Sequence, residues 1–396
     1  MLKSRGLLLA GYLLLAWGTA VQQWSLIRPG DPYTHYNNYI IFRQSFVHLV
    51  RHLDIYAPYL LEQADYFRYS PSFALAFGAF AWIPDLPGVI VWNTLNAAVL
   101  FLGWMALPLP QYSWGPPSGG RPKPDPTGPT GYDISVAAAW FAVIEVTTAL
   151  QNAQSNVLIA GLLLLAFSFL ERRRMALASL MIAIAAFTKL FGLVAFSLFL
   201  LYPEKKKFIL YSALWGIVLG LLPLAVVPFA ELVRLYESWW RLLSRDYAGS
   251  AGLSIMAWLK AWFHLDPPRT TVMLIGIALF CWPLLYVRRY RDFNFRLLVL
   301  CNVLIWVVIF NHKAESSTYV IAMCGVALWF LSQRMSGLNL ALASLAFIFT
   351  SLSPTDLFPR SLKATLLVPY AVKAMPCVLI WLKITYDLTF GRREAR

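Results

Sequence analysis

Three kinds of residue in this sequence could do chemistry: carboxylates, cations and histidines. All five histidines (His35, His48, His52, His264, His312) lie in polar stretches between apolar runs. Asp31, Asp54, Glu62, Asp65, Asp246 and Glu315 share those stretches. Asp31 stands in Arg28-Pro29-Gly30-Asp31-Pro32-Tyr33, directly after the first apolar run. A carboxylate at the mouth of a buried cavity can act as general base on a hydroxyl; it can equally cap the helix that carries Tyr36–Asn38. Arg68, in Asp65-Tyr66-Phe67-Arg68-Tyr69-Ser70-Pro71, puts a guanidinium at a membrane boundary. Its planar fork matches phosphate oxygens, although an interfacial snorkelling arginine has the same look. His48 and His52 stand four apart and could share a helical face as zinc ligands do. With no third ligand in evident reach, a solvated or interfacial face is the better reading and no metal is assigned. Lys189 and Glu145 sit inside apolar runs, where an ionisable group is costly unless it is partnered or used. They could pair with each other, or Lys189 could meet an anionic phosphate.

The elements that must position these groups are membrane helices. The chain has 396 residues, of which 59% are hydrophobic and 13% charged, with mean hydropathy +0.61. Soluble domains carry about a quarter charged residues. Apolar runs of about 15 to 22 residues recur along the chain, enough or nearly enough to cross about 30 Å of hydrocarbon as helix. Lipid forces the backbone to satisfy itself, which means helices, and segments such as Val157–Leu170 lack the alternation of a β-barrel. The fold class is therefore an all-α polytopic membrane protein of about 11–13 membrane helices in one integral domain, residues 1–396. The net charge of +14 sits mostly in short basic clusters between apolar runs, so it sets orientation and does not indicate nucleic acid. Cys281, Cys301, Cys324 and Cys377 fall within apolar runs and form no metal or redox pattern.

Charge then gives the topology. Lys3 and Arg5 hold the N-terminus in the cytoplasm, and Gly6–Ile27 crosses outward as a retained signal anchor. Arg28–Ser70 is a long outer loop, and Pro71–Ile83 is a short helix at the outer face. Gly88–Leu109 crosses inward to Gln111–Tyr132, a Pro/Gly-rich loop of disordered composition. Asp133–Leu150 goes out to a polar turn, Gln151–Asn156, and Val157–Leu170 returns. Met175–Pro203 has basic clusters at both ends, Arg172–Arg174 and Lys205–Lys207, so it must enter and come back with Thr188-Lys189 at its apex. Phe208–Phe229 crosses outward, and an outer loop over Ala230–Arg269 carries an amphipathic helix, Glu231–Arg245, with Trp239-Trp240. The remaining spans are Thr271–Val287, Leu297–Phe310, Ser317–Leu331, Leu338–Leu352 and Leu366–Leu388, which leaves the C-terminus in the cytoplasm. The polar chemistry gathers on the outer face.

An ordered set of segments resembles a known family: Gly30-Asp31, Asp54-Ile55-Tyr56-Ala57-Pro58, Asp65 to Pro71, Gln151 to Asn156, then Arg174 and Thr188-Lys189 before a basic cluster. The set is similar to glycosyltransferase family 87, membrane mannosyltransferases of the GT-C superfamily. It covers roughly residues 6–207, which would form a GT-C-like catalytic module, with 208–396 as variable C-terminal helices; there only Asn311-His312-Lys313 through Tyr319 is similar. The resemblance implies an inverting hexosyltransferase. It would use a polyprenyl-phosphate-linked sugar, with mannose as the default, and a glycolipid or glycan acceptor at the extracytoplasmic face of a bacterial inner membrane. It implies membrane lipid as surroundings, and no cofactor or metal. Asp31 would be the base, and Arg68 and Lys189 would hold the donor phosphate. His35, Tyr69, Gln151, Asn156, His312 and Lys313 would line the cavity. Tyr69-Ser70-Pro71 departs from the commoner Tyr-Pro-Pro. A transporter or lipid flippase, or a non-catalytic subunit of an envelope-assembly complex, are the rival readings.

Overall fold

The protein is described by a computed structural model that covers residues 2–27, 34–109, 112–113, 131–249 and 251–391. It is helical nearly throughout, as the apolar runs require. In the first half, α1 (Leu2–Ser25) leads to α2 (Asn37–Val50), α3 (Pro71–Ala76) and α4 (Asp85–Ala106). Then follow α5 (Ile134–Phe141), α6 (Val143–Gln151), α7 (Asn156–Glu171), α8 (Met175–Thr188) and a 3-10 helix, Leu190–Leu201. The second half holds α9 (Lys205–Leu221), α10 (Phe229–Gly249), α11 (Ile255–Phe263), α12 (Arg269–Cys281), α13 (Phe293–Ile309), α14 (Tyr319–Ser332), α15 (Gly337–Leu345), a short α16 (Arg360–Leu362) and α17 (Met375–Phe390). The strands among the described residues are a two-residue pairing of Tyr112–Ser113 with Gly131–Tyr132. The rest of the expected loop at Gln111–Tyr132 lies outside the described residues. Lys3–Ser25, Asp85–Ala106 and Lys205–Ala225 are each long and apolar enough to cross a membrane, and shorter apolar helices pack among them.

Two of these helices meet at glycine. A Cβ on Gly161 of α7 would lie 2.6 Å from the Val99 carbonyl of α4, and one on Gly103 would lie 2.8 Å from the Gly161 carbonyl. Small residues let membrane helices approach to backbone contact. The main core gathers around this crossing and extends through α13 and α14, whose side chains are almost all buried. A second, smaller core adjoins it at Leu158: Phe42, Phe67, Tyr69, Phe73, Phe77 and Trp92, with Leu232 and Leu235 of α10. Pro71 sits in the first turn of α3, where its missing N–H costs nothing, and Ser70 caps that helix by accepting from the Phe73 N–H. The short outer helix expected at Pro71–Ile83 is therefore present, as α3 and a 3-10 turn at Phe77–Phe80.

The hairpin expected over Met175–Pro203 is also formed. Its two feet meet on one face: Arg173 pairs with Glu204 at 2.8 Å, and the Tyr202 hydroxyl donates to Glu171. Arg296 of α13 grips the same Glu171 with two guanidinium nitrogens, at 2.6 and 2.8 Å. At the apex Lys189 is extended, and Gly192 lets the returning arm lie on the Ala185–Ala186 backbone, 2.8 Å from a Cβ placed there.

Two expected spans are not single helices. Asp133–Leu150 becomes α5 and α6, bent by 50° at Ala142, with no Pro or Gly in that run to cause it. Leu366–Leu388 is interrupted: a π-helix ends at Leu367, and helix resumes only at Met375. Pro369 has no N–H for a helix, and Ala371 turns left-handed at φ 46°.

Candidate functional site

The site builds outward from Lys189. The break between α8 and the 3-10 helix carries its ammonium to the turn that starts α7. There it donates to Asn156 Oδ1 at 2.9 Å and to Gln154 Oε1 at 3.3 Å. The Tyr69 ring centre lies 5.5 Å from Nζ and the Phe191 ring centre 5.9 Å, near enough for cation–π attraction. Gln154 is oriented in turn: its amide donates to Glu315 Oε2 at 2.6 Å, and its oxygen also accepts from the Asn156 amide. The charges acting on Lys189 are Glu315, which attracts it, and Arg68, which repels it. An ammonium held by neutral amides, with a second cation nearby, suits an incoming anion.

Arg68 enters from the segment between α2 and α3. Its guanidinium pairs with Asp65 at 2.7 Å while a third of the side chain stays exposed, and its carbonyl accepts from the Trp239 indole of α10. Next in sequence, Tyr69 is buried, and its hydroxyl accepts from Ser155 Oγ at 3.3 Å. The Tyr56 hydroxyl donates to its carbonyl at 2.8 Å. Burial pushes the Tyr69 phenol up from its ordinary value, so it serves as a neutral ring.

The structure thus joins Lys189, Tyr69, Asn156 and Arg68 in one region. Gln151 belongs to the same turn but donates to Gln22 near the C-terminal end of α1, 2.9 Å away. His35 is exposed in the turn before α2. His312 and Lys313 are half-buried in the turn after α13, where the Lys313 N–H donates to Asn311 Oδ1. Asp31, the expected base, lies outside the described residues.

Two readings are corrected. Lys189 does not pair with Glu145: Glu145 binds Lys373 at 2.7 Å, a lysine from the broken stretch before α17. His48 and His52 do not share a helical face. α2 ends at Val50, His52 turns left-handed at φ 58°, and the two rings go to Glu62 and Glu231, each at 2.9 Å. Among the described residues no three His, Cys, Asp or Glu side chains gather as metal ligands would.

Sequence reasoning gave no role to Gln154, Ser155, Ser316 or Lys373, and named Glu315 only among the polar groups of one face. Gln154 and Ser155 sat in the turn it had singled out. Lys373 carried the same signal as Lys189, a lysine in an apolar run. As chemistry, the site can bind an anion beside two cations and an aromatic ring.

No curated protein matches this sequence significantly. Among solved structures, the chain is similar to ArnT from Cupriavidus metallidurans bound to undecaprenyl phosphate. That likeness has 12% identity and a TM-score of 0.39 over 98% of this chain and 77% of that one. The model of glycosyltransferase family 87 matches residues 67–310, from the residue before Arg68, through the 151–156 turn and Lys189, to the end of α13. More than half of the sequence lies in that match, and the chain belongs to glycosyltransferase family 87.

Proposed function

We propose that this integral membrane glycosyltransferase moves a sugar, by preference mannose, from a polyprenyl-phosphate donor to a hydroxyl of a glycolipid or glycan. The reaction takes place on the extracytoplasmic face of a bacterial inner membrane, with both chain termini in the cytoplasm and with inversion at the anomeric carbon. The observation that carries this reading is the Lys189 ammonium, presented by two amides over Tyr69 with Arg68 acting on it.

The leaving group is a lipid monophosphate. As the bond from the anomeric carbon to the phosphate oxygen breaks, the electron pair and the negative charge go to that oxygen. Arg68 and Lys189 offset the charge there. The acceptor hydroxyl attacks the anomeric carbon from the opposite face and gives its proton to Asp31, the general base. An inverting displacement of this kind needs one base and no nucleophile from the protein.

The test uses purified, reconstituted protein and mannosyl-phosphoryl polyprenol. Asp31→Asn should lower transfer by about 10²–10⁴-fold, the usual worth of a general base, while binding of farnesyl phosphate as a short donor mimic is retained. Normal turnover in that variant removes Asp31 as the base.

A further inference from the structure

Beside the donor site lies a buried ion pair that the reaction does not use. Glu145 is fully buried on α6, and Lys373 is nearly so. Their 2.7 Å contact joins the bent α5–α6 segment to the broken stretch before α17. Lys373 Nζ also donates to Ser316 Oγ at 2.9 Å and lies 5.3 Å from the centre of the Tyr319 ring. The second carboxylate oxygen of Glu145 has no hydrogen-bond partner. Such a pair is a poor source of stability, because desolvation cancels most of its attraction and an apolar replacement often serves as well. Both segments that carry it also depart from regular helix.

Its position indicates another use. Ser316 opens the 3-10 turn Ser316–Thr318, and Glu315 caps that turn. Glu315 accepts from Gln154, and Gln154 with Asn156 holds Lys189. The contacts run without a gap from Glu145 through Lys373, the Ser316 turn and Gln154 to Lys189. We infer that Lys373, held by Glu145, is a positioning residue: it pins the Ser316 turn so that Glu315 and Gln154 set the Lys189 ammonium for the donor phosphate. The inference rests on the donor-phosphate role proposed above for Lys189.

The experiment measures binding of farnesyl phosphate to the full-length protein in nanodiscs, with uncharged farnesol as control, and KM and kcat for mannosyl-phosphoryl polyprenol. Lys373→Met and the double variant Glu145→Gln/Lys373→Met should each weaken farnesyl phosphate binding about tenfold. They should raise the donor KM by a similar factor, with kcat changed less and farnesol binding unchanged. Lys373→Arg should restore most of the affinity. Ser316→Ala, a mild change, removes the link and should weaken binding several-fold, which keeps the test decisive where the buried variants do not fold. Wild-type affinity in a folded double variant, or in Ser316→Ala, overturns the positioning role. Lys189→Ala separates the two ideas: if it leaves farnesyl phosphate binding unchanged, the donor-site reading fails. If it weakens binding while the Lys373 and Ser316 variants do not, only the positioning role fails.

Discussion

The two ends of the α8 hairpin are built on opposite electrostatic rules. At the feet both carboxylates have an opposite charge in contact: Glu171 in the fork of Arg296, and Glu204 on Arg173. At the apex the Lys189 ammonium touches two neutral amides and two rings, and its attractive carboxylate, Glu315, acts through Gln154. Charges neutralised in contact hold a structure together. A cation left with its net charge, steadied by dipoles, remains able to bind an anion. One hairpin thus serves as a clamp at its feet and as a ligand at its tip.

The contrast can be broken experimentally, and the largest effect is expected at the tip. Lys189→Met should lower kcat/KM for the polyprenyl-phosphate donor about 100-fold, or about 2.7 kcal/mol of transition-state stabilisation, with the melting temperature held or raised. Loss of folding with no specific effect on the donor would make the tip another clamp. At the feet the reverse pattern is expected. Arg296→Met strands Glu171, which is only 10% exposed, and should cost about 2 kcal/mol of stability while farnesyl phosphate affinity stays at the wild-type value. The smallest change is Arg173→Ala: with half of that side chain exposed, the pair is worth about 0.5 kcal/mol or less. A large destabilisation there would mean that the feet depend on the exposed Arg173–Glu204 pair and not on Glu171.

Much of this hairpin was legible in the sequence. Basic clusters at both ends of one apolar run require that the chain turn back, because lysine and arginine in short loops stay on the cytoplasmic side. Lys189 stood out because an ionisable group at membrane depth is costly. Its partner was not legible. The sequence places three lysines, Lys189, Lys373 and Lys383, in apolar runs, and Glu145 had to be matched to one of them without distances. Lys373 lies in the run read as the span Leu366–Leu388, which the structure breaks at Pro369 and Ala371. The histidine pair misled for a related reason. A spacing of four implies one face only while the helix lasts, and α2 stops at Val50. For Asp31 the argument remains the one made from residue type and resemblance, since it lies outside the described residues.

Composition and charge order settled the helical class, the membrane setting and the run that must fold back, because these depend on water, lipid and the neighbouring residues along the chain. Which amide holds Lys189, which lysine neutralises Glu145 and which arginine clamps Glu171 were decided by the folded molecule. Those contacts join residues 33, 228 and 125 positions apart. Hydrogen bonds and ion pairs act over a few ångströms, and only helix packing brings such distant residues that close.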